Sequence, residues 1–276
     1  MINCIKKFFN KNSKSTVNSL TLKGVIGDVG KFDKGINIDN TAKTIERAFK
    51  KGIKAVAINV NSPGGSPVQS ELIFQKIREL SHKHKIPVFT FAQDVAASGG
   101  YWLLCAGDEI YAHEASIIGS IGVVSASFNF SEAIKKIGVE RKIHTEGKSK
   151  ALLDPFSPED KDGVKMLKSV QKDIFDSFKN FVKEQRGNKI KKDDDIFTGA
   201  FWSGKTAVSH GLVDKIGNMQ SIMKEKFGDN VKIVEIKDKK KGFIKELISG
   251  SIFSIGNSKA IFQAIEEKSI WNKFGL

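Results

Sequence analysis

Apolar residues in this 276-residue chain recur with two different periods. Short blocks in which nearly every position is apolar, KAVAINV (54–60) and IPVFTFA (86–92), are bounded by turn residues and predict strands buried on both faces. SLTLKGVIGD (19–28) predicts a strand ending at Gly27, and EIYAH (109–113) a further one. Helical spacing fills the intervals. TAKTIERAFKKG (41–52) places Ile45 and Phe49 at i, i+4, and SEAIKKIG (131–138) reads as a short helix stopped by Gly138. Ser66, followed by Pro67 and Gln69, predicts a capping box opening a helix that runs to about His84. Ser157 and Pro158 predict the start of a long helix to about Arg186, with Val164, Leu167, Ile174, Phe178, Phe181 and Val182 as its core stripe. Strands alternating with helices require crossover connections, so the expected class is α/β with a mainly parallel sheet flanked by helices.

The ends break this pattern. A basic tail (1–18) precedes the expected main domain (19–236), and a basic linker opening on KDKKKG leads into a C-terminal helical extension (237–276). Ile261, Phe262, Ile265 and Trp271 predict an amphipathic helix there, and Ile2, Ile5, Phe8 and Phe9 alternate with lysines at the other end. Such segments suit an anionic membrane surface or a neighbouring subunit equally well. No run of about 18 apolar residues occurs, and the opening stretch lacks a signal-peptide hydrophobic core, so a cytoplasmic protein, at most peripheral at the inner membrane face, is expected. Two cysteines, Cys4 and Cys105, show no metal-ligand spacing and no disulfide framework, and neither a metal nor a cofactor is expected. Net charge is +14, yet 41 of the 45 cations are lysine. The scarcity of arginine, whose fork suits phosphates and base edges, argues against a nucleic-acid partner.

Candidate chemistry concentrates in two glycine-rich stretches that follow strands, at the carboxyl edge of the sheet where open α/β folds bind ligands. NSPGGSP (61–67) lacks the lysine and hydroxyl of a phosphate-binding loop. It is either a tight turn or a loop that points a glycine N–H at a developing oxyanion. DVAASGGYW (94–102) sets Ser98 where a strand hands over to a helix, as a nucleophile or as a small residue at a close-packed turn. It does not match the G-x-S-x-G elbow. A base for Ser98 would be His113 or His144 with Asp94, or a lysine desolvated enough to lose its proton. With 41 lysines, composition does not choose.

VNSPGG followed by DVAASGGYWLLCAGDEIYAHEASIIGSIGVV resembles the signal peptide peptidase A family of Ser-Lys serine peptidases, which shares its fold with the Clp protease and the crotonases. The resemblance spans about residues 19 to 217, through GKSKALLDPF and the closing FTGAFWSGKTAVSHGLVDKIG. It implies Ser98 as nucleophile and Lys150, five residues before Pro155, as general base. It further implies the Gly65 N–H as oxyanion donor and Ser120 as the residue that orients the lysine. The implied activity is hydrolysis of short or unfolded peptides, such as fragments of signal peptides and membrane proteins. The resemblance also implies a homo-oligomeric ring with shared active sites, since single-domain relatives form closed rings, resembling a dome of eight subunits, in which the lysine of one protomer reaches the serine of its neighbour. Three features depart from the family pattern: Ser149 where an aromatic residue often precedes the lysine, Asn61 before SPGG, and no transmembrane anchor. A crotonase-type acyl-CoA enzyme would leave Ser98 and Lys150 without a role, and a noncatalytic membrane scaffold would use only the ends.

Overall fold

The computed structural model describes residues 15–28, 35–191, 194–237, 268–269 and 271–275. Strand β1 (Thr16–Lys23) leads through helix α1 (Ile38–Ala48) to β2 (Ala55–Ser62). Helix α2 (Pro67–His84) and β3 (Val88–Ala97) follow, then α3 (Gly99–Leu104), β4 (Glu109–Ala112) and β5 (Ile117–Gly119). The second half contributes α4 (Ser131–Lys136), α5 (Lys161–Arg186), β6 (Phe201–Ser203), α6 (Gly204–His210), β7 (Lys215–Ile216), α7 (Met219–Phe227) and β8 (Lys232–Glu235).

The eight strands form one sheet in the order β6-β5-β3-β2-β1-β8, with β4 pairing β3 and β7 beside it. Every pairing is parallel except β5 with β6, as the alternation of strands and helices predicts. Period-two alternation divides the strand side chains between two layers. Leu20, Leu22, Val56, Ile58 and Val60 face α1, α2 and α3 in the larger core, whereas Val17, Ala55, Ala57, Phe89 and Phe91 face Ile222 and Met223 of α7.

Local signals set most element ends, with instructive differences. The Ser66 hydroxyl does accept from Gln69 N, but the Gln69 side chain accepts from Ile38 N at 2.9 Å instead of closing a capping box. It thereby ties the start of α1 to the start of α2. The box forms at Asn37 and Asn40, which start α1 three residues before the expected 41, and the helix ends at Ala48 with Phe49 as its C-cap. At the long helix the cap is Asp160, whose carboxylate accepts from Gly163 N at 2.8 Å, and not Ser157, whose hydroxyl donates to Asp154. The first strand starts at Thr16 and ends at Lys23, before the expected Gly27.

Strand β3 bends. Its first half pairs with β4 and its second half with β5. Against β2 the register passes from Val60↔Ala92 to Ser62↔Ala96, so Gln93, Asp94 and Val95 stand opposite Asn61 alone. The buried Asn61 fills the bulge, donating from Nδ2 to the Asp94 carboxylate at 2.8 Å and accepting from Val95 N at 3.3 Å.

At its far end α5 is clamped by Arg186, whose side chain is 3% exposed. Its guanidinium donates to Gly211 O and to both oxygens of Asp214. Burial favours the neutral Asp214 carboxyl, but the donors from Arg186, Lys189 and Ile110 N hold its pKa below the usual carboxylate value. The other half of α5 packs on little, with Met166 and Val170 each about half exposed. Trp271 and Phe274 pack against Val95, Ala97 and Ile117, whereas Cys4, the amphipathic N-terminal stretch, Ile261, Phe262 and Ile265 lie outside the described residues. No helix among the described residues is long and apolar enough to cross a membrane.

Candidate active site

β3 runs to Ala97, and the chain turns at Ser98 directly into α3. Ser98 has φ 53° and ψ −122°, a combination that side chains other than glycine rarely adopt. It is held there from both sides. Ser98 N donates to Gly119 O at 2.7 Å, and Ser98 O accepts from Tyr101 N at 2.9 Å and Trp102 N at 3.2 Å. Its hydroxyl, at a half-buried position, makes no hydrogen bond with any described residue. The close-packing role that a serine between small residues suggests belongs to the glycines that follow. A Cβ on Gly99 would lie 2.5 Å from Ser70 Oγ, and one on Gly100 would lie 2.5 Å from Ser62 O. Trp102 then fixes α3 to its surroundings, donating to Glu71 at 2.8 Å and stacking on Phe178 and Phe181 of α5.

The loop after β2 comes against this turn. Gly64, at φ 111°, would carry a Cβ only 2.7 Å from that of Ser98, so no larger residue fits there. Ile26 brackets the next peptide, donating from its N–H to Gly64 O and accepting from Ser66 N, both at 2.8 Å. The N–H of Gly65 between them has no partner among the described residues, and neither has that of Gly99. The two amides are neighbours, since a Cβ on Gly99 would stand 3.4 Å from Gly65 N. Two free N–H groups beside a free hydroxyl can stabilise a negatively charged oxygen that forms there. Gly65 follows from the family resemblance. The second donor was not read from the sequence, although the first N–H groups of any helix lack intrahelical partners and Gly99 opens α3.

Ser120 lies on the third side. It follows Gly119, the acceptor of Ser98 N, and it also has a positive φ, 53°. Its N–H donates to Ala200 O at 2.7 Å, which anchors this turn on the chain entering β6. Ser98, Gly65 and Ser120 are thus brought together.

Lys150 is not brought to them. It lies on an exposed turn where its backbone N donates to Gly147 O, and its ammonium makes no hydrogen bond to Ser98 or Ser120. Lys148 is equally exposed. The histidine alternatives do not assemble either. His113 and His144 are exposed, neither hydrogen-bonds Ser98, and the Asp94 carboxylate is engaged by Asn61.

A mostly parallel α/β sheet flanked by helices, with a strained serine beside two free glycine amides where a strand hands over to a helix, defines the class, a Clp protease/crotonase-like fold. The same architecture appears in solved structures of the 1510-N membrane-bound stomatin-specific protease. A mutant of that protease aligns over 82% of this chain with a TM-score of 0.51 at 14% identity, and another mutant, in complex with a substrate peptide, aligns over 86% with a TM-score of 0.50 at 16% identity. The family model for peptidase family S49 matches residues 81–231, and the chain belongs to that family.

Among curated relatives, a Brucella abortus protein named Na(+)/H(+) antiporter NhaA is 44% identical over 252 residues, 87% of this chain and 34% of that protein. Protease 4 of Haemophilus influenzae is 33% identical over 211 residues, 75% of this chain and 34% of that protein. The chloroplastic serine protease SPPA of Arabidopsis thaliana is 32% identical over 173 residues, 61% of this chain and 25% of that protein. The chain therefore spans about a third of the length of the Brucella and Haemophilus relatives.

Proposed function

We propose that the protein is a serine peptidase that hydrolyses short or unfolded peptides, including fragments of signal peptides and membrane proteins, with Ser98 as nucleophile and Lys150 as general base. The observation that carries this reading is the free Ser98 hydroxyl between the unpaired N–H groups of Gly65 and Gly99. In this reaction the neutral Lys150 amine takes the Ser98 proton as Oγ attacks the scissile carbonyl carbon, and the two amides receive the developing oxyanion. Collapse of the tetrahedral intermediate breaks the C–N bond, and Lys150 returns its proton to the leaving amine. Water, deprotonated by the same amine, then hydrolyses the acyl ester and frees Ser98. Ser120 orients the lysine by a hydrogen bond. The solved relative bound to a substrate peptide supports a peptide as the occupant.

A lysine acts as a base only when removed from water, so the exposed Lys150 must be covered. The stretch of chain that carries it is suited to this. Val124, Phe128 and Ile137 are 81%, 78% and 74% exposed, and Val139, Ile143 and Leu153 extend the apolar area. A second copy of the chain is the proposed cover, in a closed ring whose active sites each combine Ser98 of one protomer with Lys150 of the next.

Mixing tests this directly. Ser98→Ala and Lys150→Ala proteins should each be inactive, and equal mixtures should recover about a quarter of the wild-type sites if subunits combine randomly. No recovery in mixed oligomers verified by native mass spectrometry would refute the shared site. Failure of a fluorophosphonate to label Ser98 in the wild-type oligomer would refute the peptidase reading itself.

A further inference from the structure

Beside the catalytic turn a cavity of about 320 Å³ opens between α5 and the chain on either side of β5 and β6, lined by Gly122, Val123, Lys168, Lys172, Phe175 and Phe197. Its size lies at the lower end of the range for ligand pockets. Gly119 O accepts from Ser98 N, and Gly122 follows three residues later, a span of at most about 11 Å. In a peptide acylating Ser98, about three or four residues on from the scissile bond are therefore a long enough span to reach this cavity.

The charge of the cavity is one-sided. Among the described residues no carboxylate lines it, and Phe175 and Phe197 give it an aromatic floor. Lys172 and Lys179 share Asp176, at 2.7 and 2.9 Å, so that carboxylate is already neutralised. Lys183 lies over the Phe197 ring. Lys168 has no ion-pair partner among the described residues, and its helix neighbours at i−3 and i+4 are Lys165 and Lys172. Like charges at that spacing disfavour the helix, and no acidic residue occupies the i−4 or i+3 position to offset them. Lys161 continues the same face toward the helix start. An apolar floor under the unpaired Lys168 ammonium and a Lys172 that shares its one carboxylate with Lys179 fits a short aliphatic chain ending in a negative charge.

We propose that this cavity is a specificity pocket for a peptide carboxylate, a glutamate side chain or a C-terminal carboxylate, within four residues of the cleaved bond. The proposal rests on the peptidase reading and names the substrate class for it. It explains why the lysine-rich character of the chain extends to the wall of a cavity next to the nucleophile.

The test uses the full-length oligomer and one cleavable peptide in which Glu, Gln and Lys are placed in turn at each of the four positions on either side of the bond. A second set carries Gln throughout and ends in a free acid or an amide at those distances. One position should show the order Glu, Gln, Lys in kcat/KM, with Glu over Lys by about tenfold, as expected for two screened charge contacts. Lys168→Glu/Lys172→Glu should invert that order at this position alone, whereas Lys50→Glu/Lys54→Glu, on the exposed turn before β2, should leave it unchanged. Preference for the free acid over internal Glu would assign the pocket to chain ends, and the converse to side chains. Binding of labelled Glu and Lys peptides to the Ser98→Ala protein, followed by anisotropy, should show the same order without turnover. Cleavage of all peptides at rates insensitive to charge, or an equal response to both pairs of lysine substitutions, would overturn the pocket and leave the peptidase standing. Absence of cleavage of every peptide, together with no fluorophosphonate labelling, would overturn the peptidase reading instead.

Discussion

Replacing Asn61 tests whether the bulge between β2 and β3 aims Ser98, the proposed nucleophile. The residue is 4% exposed and spans the bulge with two hydrogen bonds, one given to the Asp94 carboxylate at 2.8 Å and one taken from Val95 N at 3.3 Å. Ser98 lies three residues beyond Val95, and the oxyanion loop begins one residue after Asn61, so one side chain sets the spacing of both. Asn61→Asp keeps the shape and the acceptor but replaces the donor with a second carboxylate facing Asp94. A hydrogen bond to a charged partner, worth about 1.5–3 kcal/mol, is lost. Two like charges about 4 Å apart add up to about 4 kcal/mol at an effective dielectric near 20, and partial exposure of the Asp94 side reduces this. A loss of about 3 kcal/mol at pH 7 is expected. It has a definite sign with pH: the carboxyl pair holds one proton more tightly in the folded protein than in the unfolded chain. The penalty is therefore full above the raised folded value and disappears as pH falls to the unfolded carboxylate range. Asn61→Asp/Asp94→Asn restores the bond between positions 61 and 94 with donor and acceptor exchanged, and keeps an acceptor at position 61 for Val95 N. Urea unfolding at fixed protomer concentration, together with the fluorophosphonate labelling rate of Ser98, should show the double variant recovering at least half of both losses. A double variant no better than Asn61→Asp alone would refute the aiming role.

Further outcomes follow from the same geometry. Ser98→Gly should abolish labelling yet raise stability to urea by up to about 1 kcal/mol, because relief of a φ of 53° exceeds the entropic cost of glycine. Arg186→Met should lower stability by about 3 kcal/mol and the melting temperature by about 10 °C in calorimetry, since it removes the buried guanidinium from Asp214 and leaves that carboxylate only Lys189 and Ile110 N. The Asp214 carboxyl is held low in the folded protein, so its contribution is present above the unfolded carboxylate value near 3.9 and lost as pH falls through the folded one. The stability difference between wild type and Asp214→Asn, measured by urea unfolding, should accordingly shrink below about pH 4. The buried Cys105 thiol, pushed up to about 12 mainly by burial, should resist iodoacetamide at pH 8 in the folded protein and react in urea, as read by peptide mass mapping.

What was legible in the sequence divides by range. Ser66 with Pro67, the apolar run before it and the stop at Gly138 are signals satisfied within a few residues, and the structure has elements there. The glycines of NSPGGSP and AASGG were legible as close approaches because only the absence of a Cβ lets Gly64 meet Ser98 and Gly100 meet Ser62. The bulge at Asn61 was not, since it is made by a hydrogen bond to a residue 33 positions away and the alternation of apolar residues does not record it. Strands β5, β6 and β7, of three, three and two residues, are too short for any period to emerge. Asp160 displaced Ser157 as the cap because both residue types cap well and the choice falls to the Ser157 hydroxyl, which is occupied by Asp154.

The long helix α5 carries the argument from fold to assembly. Its apolar stripe continues from Val164 to Val182 with helical spacing, which reads as one buried face. Within the protomer only the second half is satisfied: Phe178 and Val182 are buried and the helix end is clamped by Arg186, whereas Val164, Leu167 and Ile174 are only partly covered. Helix propensity does not explain why apolar residues persist beyond the core that they serve, and solvent gives no return for them. The exposed Phe128, Ile137 and Leu153 lie in the stretch of chain that leads into this half of the helix, and the turn bearing Lys150 lies in the same stretch. A contact that buried this apolar surface would remove Lys150 from water in the same step. In this account peptide-bond chemistry appears only when subunits assemble, so activity per subunit should rise with protomer concentration along the same curve as oligomer mass. A dilute monomer that retained full labelling at Ser98 would break the link between the two.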